Sequence, residues 1–174
     1  MIKVILIVIV VLIGGVLAYA AVRPDTLHVQ RTISIKATPD KIVPHISDFH
    51  AWGAWSPYER KDAAMQRTYG GAPNGNGAVY EWNGNSNVGQ GRMEIVNASP
   101  SRVTIKLDFL RPFEGHNMAE FTLEPKGDVT NVTWSMDGTA AYPAKVIGIF
   151  INMDNMIGSD FEAGLANLKS IAER

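Results

Sequence analysis

The sequence predicts an α+β fold: a curved antiparallel sheet around a long C-terminal helix, preceded by an N-terminal transmembrane helix. Three observations carry it. From Phe150 the apolar residues recur as Met153, Ile157, Phe161, Leu165, Leu168 and Ala172, the three-and-four spacing of one helix face. Between Leu27 and Met136 apolar and polar residues instead alternate in several short runs, the period of half-buried strands. From Val4 to Val22 no residue is charged, and a run of about 20 apolar residues is what a helix needs to cross the hydrocarbon layer.

That first run divides the chain into an anchor, residues 1–23, and a domain, residues 24–174. Lys3 precedes it and Arg23-Pro24 follow it, so a single-pass anchor is the first reading. The rival is a secretory signal cleaved after Ala18-Tyr19-Ala20, which would put the domain in an extracytoplasmic space. Arg31, Lys36 and Lys41 follow closely and leave the orientation open. The remainder suffices for one domain with a sizeable core. With a formal net charge of −1 and no basic stripe, nucleic acid is not an expected partner. Cysteine is absent, which excludes disulfides and thiolate chemistry.

The first strand sets Leu27, Val29, Ile33 and Ile35 against His28, Gln30, Thr32 and Ser34. Arg31 falls on the inward side, either snorkelling to water or offering its charge to an acidic ligand head. Thr38-Pro39-Asp40 then starts a helix that Pro44 is expected to interrupt. Ile46-Ser47-Asp48-Phe49 follows and runs into Trp52-Gly53-Ala54-Trp55-Ser56-Pro57. A strand ending in a Thr-Pro-Asp cap, then this tryptophan segment, resembles the START-like (SRPBCC) polyketide cyclase/dehydrase and lipid-transport superfamily, also called the Bet v 1-like or helix-grip fold. The resemblance covers Thr26 to Arg174. It implies that the short helices form a V closing one end of a cavity under the long helix, with Trp52 and Trp55 plugging that end or touching a ligand.

Tyr69 to Gly77 is glycine-rich but lacks a P-loop's Gly-Lys-Ser/Thr ending, so it reads as a flexible inter-strand loop able to act as a gate. Asn83 to Asn87 reads as a hairpin turn with Asn85-Ser86 at its tip. That register sets Trp82 opposite Gly89 and Tyr80 opposite Gly91, two rings covering two bare backbones. Val103 to Phe109, Ala119 to Leu123 and Val132 to Met136 supply three further strands. Glu81 and Arg92 make an exposed cross-strand ion pair. Tyr142-Pro143 then opens one helix running to the C-terminus.

The inward residues define a candidate ligand site: Tyr80, Trp82, Met93, Phe109, Phe121, Trp134 and Met136 from the sheet. The helix adds Phe150, Met153 and Ile157, and Trp55, Tyr58 and Phe113 stand at the ends. A mainly apolar pocket with a few polar tips suits a hydrophobic small molecule or lipid. Gly148, Gly158 and Gly164 each cost the helix about 1 kcal/mol relative to alanine, which points to close packing or to space kept for a ligand. The four histidines are dispersed, so no catalytic residue, metal site or cofactor is assigned. The expectation is a membrane-anchored domain binding a lipid, quinone or polyketide-like compound. A cyclase or dehydratase, which in this superfamily folds its substrate within the cavity, and a filled-core interaction or stress-response module stay open.

Overall fold

The computed structural model describes residues 1–140 and 142–174. Helix α1 (Ile2–Val22) leads into strand β1 (Thr26–Ile35), helix α2 (Pro39–Ser47) and two 3₁₀ segments, Phe49–Ala54 and Pro57–Arg60. Six strands follow: β2 (Gln66–Gly71), β3 (Ala78–Asn83), β4 (Gln90–Ser99), β5 (Arg102–Arg111), β6 (Gly115–Lys126) and β7 (Val129–Thr139). Helices α3 (Tyr142–Phe150) and α4 (Met153–Ala172) end the chain.

The strands form one antiparallel sheet in the order β1-β7-β6-β5-β4-β3-β2, so the first strand pairs with the last. Alternation decides its faces: Val29, Tyr80, Ile95, Val103, Ile105, Phe121 and Trp134 are buried on the side that α4 covers. Register shifts at Gln90/Gly91 and Ile95/Asn97 interrupt the β4–β5 ladder, and such bulges bend a strand. Glu81 and Arg92 stand opposite each other on the outer face, 3.7 Å apart.

Four expectations need correction. The terminal helix is not one rod, because Asn152 caps a new start: its side chain accepts the Asn155 N–H at 3.0 Å, and the chain breaks at Ile151-Asn152. Helix α2 does not stop at Pro44 but runs through it to Ser47. The glycine-rich segment is not a gate. Its first three residues, Tyr69–Gly71, end the edge strand β2, which pairs with β3, and its turn is tied down where Gly75 donates to the Ser47 carbonyl and Gly77 to that of Ile95. The hairpin loop is longer than a two-residue tip, so Trp82 pairs with Gly91 and Tyr80 with Met93. A shift of two keeps parity, and both rings still face inward. Trp82 does cover Gly91: a Cβ there would lie 2.3 Å from its ring.

The tryptophan segment is fastened to α2. Trp52 Nε1 donates to the Ile46 carbonyl and Trp55 Nε1 to that of His45, both at 2.9 Å, so the indoles satisfy carbonyls that a helix end leaves without partners. Helix α1 keeps its apolar side chains exposed and is long and apolar enough to cross a membrane.

Candidate functional site

A cavity of about 430 Å³ lies between the concave sheet face and α4. Ten of the thirteen residues expected there line it: Tyr58, Tyr80, Trp82, Met93, Phe109, Phe113, Trp134, Met136, Met153 and Ile157. Sheet alternation puts most of them there, since inward parity is set once one face is covered. The other three lie elsewhere. Trp55 is fully buried among Trp52, Phe121 and Trp134, so it fills the core while Trp52 faces the cavity. Phe121 is fully buried and stacks on Trp134 with centroids 4.9 Å apart. Phe150, the last residue of α3, is 73% exposed, because the break at Asn152 takes it off the α4 stripe.

The wall also includes Leu107, Ala119 and Phe161, which the same periodicities identify, and Leu27 from β1. Glu59, Lys61 and Asn87 come from irregular segments and carry no periodic signal. One end of the cavity is polar. The Tyr80 hydroxyl donates to Glu59 Oε1 at 2.6 Å, and Arg67 Nε donates to the other carboxylate oxygen at 2.6 Å. Nearby, Lys61 pairs with Asp160 beside the Tyr58 ring.

Burial pushes both phenols above the usual tyrosine range, and the neighbouring carboxylates, Glu59 for Tyr80 and Asp160 for Tyr58, push them further. Both therefore stay neutral and serve as hydrogen-bond donors. Ser56 Oγ, Asn117 Oδ1 and Trp134 Nε1, all on lining residues, are buried without a hydrogen-bond partner among the described residues. Among those residues no group of three His, Asp or Glu side chains could hold a metal ion.

Arg31 keeps 22% of its side chain exposed and does not line the cavity. It spans to α4, with Nε 2.7 Å from Glu162 Oε1 and Nη2 3.0 Å from Asp154 Oδ2. Two of the helix glycines serve packing: a Cβ on Gly158 would strike that guanidinium, and one on Gly164 would stand 2.8 Å from the Trp134 ring, whereas Gly148 has room for one.

The profile of the family described as polyketide cyclase / dehydrase and lipid transport matches residues 26–173. The chain belongs to that family. Solved structures share its fold. Protein CV1439 from Chromobacterium violaceum is 14% identical with a TM-score of 0.60, over 87% of this chain and 99% of that one. Hypothetical protein jhp0584 from Helicobacter pylori is 11% identical with a TM-score of 0.64, over 86% and 89%. The di-domain ARO/CYC StfQ from the steffimycin biosynthetic pathway is 10% identical with a TM-score of 0.63, over 85% of this chain and 51% of that one, so this chain spans about half of it. At such identities the likeness is one of fold. No curated protein matches the chain. Within this cyclase/dehydrase and lipid-transport family the helix-grip architecture is thus present, with a broken rather than continuous gripping helix.

Proposed function

We propose that the chain is a membrane-tethered domain that takes up an apolar or amphipathic small molecule, a lipid, quinone or polyketide-like compound, between its sheet and α4. The cavity carries this reading. At about 430 Å³ it falls inside the range of small-molecule sites, and aromatic, methionine and aliphatic side chains make up most of its wall. Methionines adapt to guests of varied shape. The polar end at Tyr80, Glu59, Lys61 and Asp160 gives an amphipathic guest one preferred orientation. The exposed apolar α1 supports the tether, since a pocket held at a bilayer meets lipid-soluble molecules at raised local concentration.

The test is organic extraction and mass spectrometry of the full chain purified from membranes, with displacement of an anilinonaphthalene probe. A stoichiometric apolar compound that competes with the probe is the expected result. Protein that yields no such compound and binds no probe overturns the reading.

A cyclase- or dehydratase-type enzyme is the second reading, and one observation favours it: Tyr80 is a neutral phenol at the cavity wall whose one proton is directed at Glu59, which leaves the phenol oxygen free to accept from a substrate hydroxyl. Turnover that survives Tyr80→Phe and Tyr58→Phe removes that support.

A further inference from the structure

The anchor reading of α1 leaves one element unexplained, the short apolar helix α3. Resting on that reading, we infer that α3 lies in the interface of the bilayer that α1 crosses, as an apolar flap between that bilayer and the cavity mouth.

Nine residues long, α3 carries a single charge, Lys145. That side chain is only 8% exposed and is turned inward onto the Asp25 carboxylate and the Arg23 carbonyl. The large side chains that α3 and the residue after it present outward are apolar, with Ile147, Phe150 and Ile151 37%, 73% and 46% exposed, and Met156 near the start of α4 is 48% exposed. Four large exposed apolar groups spread across the α3–α4 junction form a patch that a water-facing surface does not ordinarily keep.

The patch is continuous with α1. Tyr142 at the start of α3 donates its hydroxyl to the Leu17 carbonyl at 2.9 Å, and Arg23 Nη1 donates to the Gly148 carbonyl near its end at 2.8 Å. Leu17 lies five residues before Val22, so the Tyr142 hydroxyl sits about 7.5 Å down the axis from the helix end, while the far end of α3 meets Arg23. A helix lying in an interface sinks its apolar face by about 5–10 Å. If α1 spans, α3 has that depth imposed on it. Tyrosine at such a level, with its ring apolar and its hydroxyl paired, is the type found at membrane boundaries.

The cavity reaches this element. Ala140 and Ala144 line it from the α3 side, and Met156 and Phe113 both line it and are exposed, which marks the mouth. A guest leaving the bilayer at α3 would reach the cavity without crossing bulk water. The occupant of the patch is therefore the lipid surface rather than a protein.

The chain has no cysteine, so single labels are clean. Full-length Phe150→Cys, Ile9→Cys and Thr68→Cys, each carrying an NBD fluorophore, are reconstituted in phosphatidylcholine vesicles bearing nitroxides at shallow or deep acyl positions. The Ile9 label is expected to be quenched best by deep nitroxides, the Phe150 label several-fold better by shallow ones than by deep ones, and the Thr68 label on edge strand β2 by neither. In a companion assay, Phe150→Ser/Ile151→Ser is expected to slow movement of a fluorescent fatty acid from vesicle to protein several-fold. An Ile9 label in membrane with a Phe150 label in water overturns this inference alone and points to a protein covering the patch. An Ile9 label in water overturns the anchor reading as well. Failure of the extraction experiment leaves the quenching result standing, so the two ideas fail separately.

Discussion

The guanidinium of Arg31 occupies the space that a side chain on Gly158 would need: a Cβ there would stand 2.0 Å from Nη2. Asp154 and Glu162 flank that glycine one helical turn away on either side, and each accepts from the same arginine. The arginine also holds the Asp154 carboxyl below its usual range, chiefly by hydrogen bonding to it. Gly158→Ala gains about 1 kcal/mol of helix propensity. It also pushes the arginine off two exposed partners, and ion pairs so open to water contribute little. Net stability should therefore change by less than about 1 kcal/mol, because the lost pairs offset part of the propensity gain. The distinguishing sign is salt: the urea midpoint of the native chain should fall as salt is raised, and that of Gly158→Ala should fall less.

Gly164 has less forgiving neighbours. A Cβ there meets Trp134 Cζ3 at 2.8 Å and Pro57 Cδ at 3.1 Å, and both belong to rings packed in place. Trp134 is held further by Phe161, parallel to it at 4.0 Å. Gly164→Ala should destabilise by about 1–3 kcal/mol, as overpacking does, despite the propensity gained. Urea unfolding measures the loss, and a changed near-UV circular dichroism signal would report the displaced indole. An unchanged midpoint would show that α4 can move off the sheet without cost.

The Tyr80 phenol links the cavity's polar end to alkaline stability. Its raised pKa means that the folded chain holds the proton more tightly than the unfolded chain, whose tyrosines titrate near 10.0. Stability is then fully present below that value and falls as pH rises through it. Tyr80→Phe should flatten this alkaline limb, measured as the urea midpoint between neutral pH and pH values above about 10. It should also cost about 1 kcal/mol at neutral pH through the lost bond to Glu59. A variant with the same alkaline slope as the native chain would mean that Tyr58 or another group carries the effect.

Period-two and three-and-four spacing made the sheet faces and the α4 stripe legible, because each depends only on which residues must meet the core. This is why eight of the ten cavity residues could be named in advance, all but Tyr58 and Phe113. Two of the three displaced residues show where periodicity stops helping. Trp55 sits in an irregular 3₁₀ connection whose orientation depends on hydrogen bonds to α2, and Phe150 precedes a break set by one capping side chain at Asn152. Strand β2 was hidden because Gly70 and Gly71 have no side chains to alternate. Arg31 was correctly placed on the inward face, but its partners lie more than 120 residues away, a separation that no local pattern spans.

Ala119 offers the most direct control of the cavity. It is 5% exposed in the middle of β6, opposite Ile105 and Met136, and its side chain borders the empty space. Ala119→Met would extend a flexible apolar chain into that space and displace a guest without straining the sheet. Affinity for the anilinonaphthalene probe should fall about tenfold or more, equivalent to about 1.4 kcal/mol. The urea midpoint should hold or rise, since the added methylenes leave water at about 25 cal/mol per Å² buried. Glu120→Met, one residue along on the opposite sheet face, is the matched control and should leave probe binding unchanged. Equal binding by native chain and Ala119→Met would put the probe outside this cavity, whereas loss in both variants would mean that β6 itself had been disturbed.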